Sequence, residues 1–127
     1  MKTILLFASG SGSNVRAILE YFKEKKNYQF PAIFCNNAKA GVIEIAKEYG
    51  IDIILINKDI FQEKIFIDTI TFFKPDLLVL AGFLWKIPEI IIKNFERKII
   101  NIHPSHQVTY PILLHRLTIA FHVLAAV

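Results

Sequence analysis

The sequence predicts an α/β fold: a doubly wound, mostly parallel sheet with helices on both faces. Three observations predict it. Five short apolar runs lack the polar alternation of half-exposed strands and read as strands covered on both faces. The stretches between them carry helical periodicity. A glycine-rich turn directly follows the first run and opens the first helix.

The strand candidates are Ile4 to Phe7, Ala32 to Cys35, Ile53 to Ile56, Leu77 to Ala81 and Ile99 to Ile102. A first helix is expected from Asn14, where Val15, Ile18, Leu19 and Phe22 follow the i, i+3, i+4, i+7 spacing. A second runs from Lys39 to Tyr49 and stops at Gly50. A third is expected over Asp59 to Phe73, with Asp59 as N-cap and Pro75 closing it. Pro88 opens a short helix through Asn94. Right-handed crossovers then gather the functional loops at the carboxyl ends of the strands.

A chain of 127 residues, 54% hydrophobic and 13% aromatic, reads as one folded domain with a real core. The net charge of +4 is spread along the chain, which suits an anionic small molecule and gives no basic stripe for nucleic acid. A single cysteine, Cys35, excludes an internal disulfide and fits a reducing, cytoplasmic setting. The opening apolar segment is too short for a signal peptide or a membrane span.

Three motifs carry chemistry. In Ser9-Gly10-Ser11-Gly12-Ser13-Asn14 small residues let the backbone bend, and the N–H groups at the helix start suit a phosphate. A dinucleotide fingerprint wants a third glycine where Val15 stands, and an acid where Cys35, Asn36 and Asn37 stand; a Walker loop wants a lysine that is absent. A sugar monophosphate is the remaining guest. A tight capped turn with no ligand is the alternative.

After the fourth run, Gly82 gives room while Phe83, Leu84 and Trp85 give apolar surface for a flat heteroaromatic group; the same side chains serve equally well as packing. In Asn101-Ile102-His103-Pro104-Ser105, strand alternation points Asn101 and His103 to one face. An amide donor beside a histidine makes a compact acyl-transfer pair.

Together these motifs resemble the phosphoribosylglycinamide formyltransferase family over residues 1 to about 105. The resemblance implies a substrate phosphate held by Gly12, Ser13 and Asn14, and a folate pocket lined by Leu84, Trp85, Lys86 and Ile87. It implies Asn101 and His103 flanking the formyl group. The implied co-substrate is 10-formyltetrahydrofolate and the acceptor is the amine of glycinamide ribonucleotide, with no metal.

The family pattern also includes an aspartate on a later loop, which favours the charged form of the histidine. This sequence has no Asp after Asp76 and no acid after Glu96. His106-Gln107-Val108 stands where the family continues with leucine and proline. Residues 106 to 127 form an atypical apolar tail to the 1 to 105 domain, and read as a truncated or frame-shifted continuation. The expectation is a formyltransferase of doubtful activity. Its alternatives are a non-catalytic phosphate-binding fragment, a formyltetrahydrofolate hydrolase or a methionyl-tRNA formyltransferase-like enzyme. The chain starting directly at the first strand counts against an extra N-terminal regulatory domain. An uncovered sheet edge invites self-association unless Ile112 to Val127 packs over it.

Overall fold

The computed structural model describes residues 1–102. Its strands are β1 (Lys2–Ala8), β2 (Tyr28–Gln29), β3 (Ala32–Cys35), β4 (Asp52–Leu55), β5 (Leu77–Ala81) and β6 (Ile99–Ile102). Its helices are α1 (Ser13–Phe22), α2 (Val42–Tyr49), α3 (Lys58–Phe61), α4 (Lys64–Phe72) and α5 (Glu89–Asn94). The strand order is β4-β3-β1-β5-β6, every pairing is parallel, and the two-residue β2 joins the start of β1.

Strand alternation builds two cores. Ile4, Leu6 and Ala8 of β1 face α1 and α2, where Val15, Ile18, Val42 and Ala46 are buried. Leu5 and Phe7 face the other way, onto Phe61, Phe66, Ile70 and Ile91 of α3, α4 and α5. Every residue of β3 and β5 is buried, as continuous apolar runs require. β4 and β6 are the outer strands among the described residues, and their side chains are mostly half-exposed or exposed.

The segment after β4 differs from the expected single helix. Asn57 Oδ1 accepts the Ile60 N–H at 2.9 Å, so Asn57 caps α3 in place of Asp59. Glu63 is extended, with φ −96° and ψ 154°, and a second helix begins after it. The reason is packing. Residues five apart on one helix stand about 140° apart around its axis. Phe61 and Phe66 are both buried in the same core and their rings lie 5.4 Å apart, which the break permits. Asn57→Ala is expected to lower stability by about 1 kcal/mol. Asp59→Ala should leave the urea midpoint almost unchanged; a larger loss at Asp59 would return the cap to it. The second helix is also shorter than expected. Asn37 Oδ1 accepts the Lys39 N–H at 3.0 Å, and that turn occupies the residues before Val42.

Asp76 is committed at the amino edge of the sheet. Its Oδ2 accepts the Thr3 N–H at 2.8 Å, and its own N–H donates to the Thr3 carbonyl at 2.8 Å. The chain passes from β1 through β3 to β4, then crosses back to place β5 on the other side of β1. That reversal sets the switch point, outside the carboxyl ends of β1 and β5, where open α/β sheets have their ligand crevice.

Candidate functional site

Both loops singled out in the sequence flank this crevice. Gly12 caps α1 in the left-handed region at φ 84°, and among the described residues no side-chain cap bonds the first N–H groups of the helix. Ser13 is exposed, while Asn14 is 8% exposed and faces inward. The turn rests on α2. The Val42 N–H donates to the Gly10 carbonyl at 3.1 Å. A Cβ on Gly12 would lie 2.9 Å from Val42 Cα and 2.7 Å from Ile45 Cδ1. Gly12 is thus required by the neighbouring helix.

Arg16 adds a second tie between the helices, donating to both carboxylate oxygens of Glu48 at 2.9 and 3.0 Å. That fork holds the Glu48 carboxyl below, and the Arg16 guanidinium above, their ordinary pKa values. The contribution of Glu48 is therefore present above the usual carboxylate range and fades as pH falls through its lowered value. Both groups are solvent-exposed, so the tie is a modest one. A groove of about 560 Å³ runs along the outer flank of the turn, between Ser11, Ser13 and Arg16 on one side and Gly41 and Ile45, at the start of α2, on the other.

The second loop divides its side chains. Phe83 is 3% exposed and stands edge-on to Phe7, with ring centroids 5.5 Å apart. Trp85 is half-buried against Phe61 at 5.6 Å and Phe83 at 6.1 Å, with Lys58 Nζ 5.9 Å from its ring centre. Ile87 also packs on this core. Leu84 and Lys86 point outward, and Leu84 is 79% exposed. Phe83, Trp85 and Ile87 anchor the loop by packing, and Leu84 leaves apolar area exposed at its tip.

The two loops are fastened to each other by Ser9, which the sequence placed in the glycine turn without a role of its own. Ser9 Oγ accepts the Leu84 N–H at 2.8 Å, and the Ser9 N–H donates to the Gly82 carbonyl at 3.3 Å. Asn14 Nδ2 lies 3.7 Å from the place a Cβ on Gly82 would take, and Gly82 has φ 75°. A small polar residue between an apolar strand and a glycine turn was the available signal. Its partner, 75 residues away, was not readable. Asn36, just after β3, also went unremarked as a site residue; its Oδ1 is buried with no hydrogen-bond partner among the described residues.

Asn101 stands opposite Leu80 in the β5–β6 register, close to the root of the second loop. Ile100 and Ile102 belong to the first core and Ile99 to the second, so alternation puts Asn101 on the Ile99 face, where it is exposed. His103, Pro104, Ser105 and the tail from His106 lie outside the described residues. Among the described residues no cluster of side chains suits a metal ion, and no helix is long and apolar enough to cross a membrane.

Residues 2–111 match the family model described as formyl transferase. A chloroplastic phosphoribosylglycinamide formyltransferase of Vigna unguiculata is 36% identical over 110 residues, covering 82% of this chain and 35% of that protein. The phosphoribosylglycinamide formyltransferase of Bacillus subtilis is 34% identical over 119 residues, covering 87% of this chain and 60% of its own length. The solved phosphoribosylglycinamide formyltransferase of Coxiella burnetii superposes with TM-score 0.73 at 28% identity, covering 86% of this chain and 54% of that one. This chain therefore spans between about a third and three fifths of the length of these relatives.

Proposed function

This chain belongs to the formyl transferase family, and on that premise we propose that it serves the transfer of a formyl group from 10-formyltetrahydrofolate to the amine of glycinamide ribonucleotide in purine synthesis. One observation supports this reading above the others. A turn suited to a phosphate and a loop suited to a heteroaromatic ring are hydrogen-bonded to each other, with Asn101 opposite Leu80 on the strand next to the root of that loop. A cytoplasmic setting completes the reading and agrees with the single, buried, free thiol of Cys35.

In this reading Gly12, Ser13 and Asn14 hold the substrate phosphate at the positive end of α1. Leu84, Trp85, Lys86 and Ile87 line the pterin side, where the exposed Leu84 and the half-buried indole form a shelf for a flat ring. Formyl folate supplies the one-carbon unit. As the acceptor amine attacks, negative charge grows on the formyl oxygen, and the Asn101 amide donates to it. His103 moves the proton that must leave the amine and reach the departing folate nitrogen.

Donors to a developing oxyanion act on the transition state more than on bound substrate. Asn101→Ala is therefore expected to slow single-turnover transfer by about 100-fold, with ligand dissociation constants nearly unchanged. Equal losses of binding and rate would give Asn101 a purely structural role.

A further inference from the structure

Ser9 touches both loops of the crevice yet has no part in the chemistry above. It is 5% exposed and is the last residue before the glycines of the turn. Its hydroxyl accepts the Leu84 N–H at 2.8 Å and its own N–H reaches the Gly82 carbonyl at 3.3 Å. Leu84 is the exposed residue of the pterin shelf, so the Ser9 side chain fixes the backbone that presents it. On the other side Ser9 is bonded directly to Gly10, whose carbonyl is held by Val42 N–H of α2. Asn14, assigned to the phosphate, stands against Gly82 at the root of the same loop.

We propose that Ser9 is a positioning residue that couples the two ligand subsites. An anion on the glycine turn orders that turn, and the Ser9 hydroxyl passes the order to the 82–87 loop, which then holds a heteroaromatic ligand more tightly. This inference rests on the formyl-transfer reading for the identity of both ligands. The physical basis is shared ordering. A loop whose root is already fixed loses less conformational freedom when its own ligand arrives. Linkage makes the effect reciprocal: the pterin ligand tightens the anion by the same factor.

Trp85 is the only tryptophan of the chain and sits in the coupled loop, so its fluorescence reports ligand binding there. Tetrahydrofolate is titrated with and without saturating ribose 5-phosphate, and exchange of the Leu84 amide hydrogen is followed with and without ribose 5-phosphate. In the wild-type chain ribose 5-phosphate should tighten tetrahydrofolate about fivefold or more and slow Leu84 exchange. In Ser9→Ala the tightening should fall below about twofold, within the range where coupling is negligible. Ser9→Thr, which keeps the hydroxyl, should retain it.

An equal coupling factor in Ser9→Ala overturns the bridge and leaves the formyl-transfer reading standing. So does a wild-type chain that binds both ligands independently. A wild-type chain that binds neither overturns the bridge together with the reading beneath it. If Ser9→Ala does not fold, the wild-type Leu84 amide decides: exchange unaffected by ribose 5-phosphate rejects the coupling.

Discussion

Gly12→Val is expected to lower stability by about 2–5 kcal/mol, combining a left-handed residue without glycine and an overpacked contact. Two features of the position add. The backbone angle φ is 84°, where a β-branched residue is a genuine outlier. The new Cβ would stand 2.9 Å from Val42 Cα, a backbone atom that moves only if α2 moves. The 2.7 Å approach to Ile45 Cδ1 is more readily relieved, since that is a side-chain end. For a domain of this size the melting temperature should fall by roughly 10 °C or more. A melting temperature within about 2 °C of wild type, a change of well under 1 kcal/mol, would mean that α2 does not brace the turn.

The same geometry changes how ligand binding at the turn has to be tested. Loss of phosphate protection in a Gly12 variant reports a disturbed turn, whatever the ligand does there. Gly10 is the cleaner position, because a Cβ there meets nothing within 4 Å and the residue is not in the left-handed region. Gly10→Ala leaves the free protein its packing, so any change in ribose 5-phosphate protection belongs to the ligand.

The parts of the fold that were legible in the sequence are those set by local burial. Ala32–Cys35, Leu77–Ala81 and Ile99–Ile102 are strands at their expected bounds, because an uninterrupted apolar run between amphipathic stretches has few other uses. The first helix and the glycine turn were legible for the same reason, being contiguous. What escaped was set by distant partners. The break at Glu63 depends on Phe61 and Phe66 sharing one core on the same face of the sheet. The constraint on Gly12 comes from Val42, and the role of Ser9 from Leu84. Leu84, Trp85, Lys86 and Ile87 were grouped as a lining, and within that group the loop packs the half-buried Trp85 and Ile87 against the core and leaves Leu84 and Lys86 exposed. Contiguity in the motif did not reveal that division, because it depends on the rings of Phe61 and Phe83.

The 127-residue polypeptide, assayed alone, is expected to transfer formyl groups about 100- to 10,000-fold more slowly than the Bacillus subtilis relative, the range that a misassigned acid–base group produces. The argument is electrostatic. A histidine of ordinary pKa, about 6.5, is mostly neutral at pH 7.5. A nearby carboxylate raises that value and keeps the ring charged while the oxyanion forms. No acid follows His103 in the sequence. Of the two acids nearest before it, Asp76 is engaged by Thr3 at the amino edge of the parallel sheet. Glu96 is exposed in the connection that enters β6, which is that same edge. Neither stands at the carboxyl ends where the loops and Asn101 meet. The pH profile carries the signature. Without a carboxylate the charged fraction of His103 falls about tenfold per pH unit above its ordinary pKa, and the single-turnover rate should fall with it. With a carboxylate in place the rate would hold level to higher pH. The measurement is single-turnover transfer by purified monomer between about pH 5.5 and 8.5, a window that brackets the ordinary histidine pKa. A rate within tenfold of the relative at pH 7.5, together with a level profile, would show that another group charges the histidine. His106 and His115 cannot do so as cations, since a like charge would lower its pKa, so such a result would call for a carboxylate brought to the pair from elsewhere in the polypeptide.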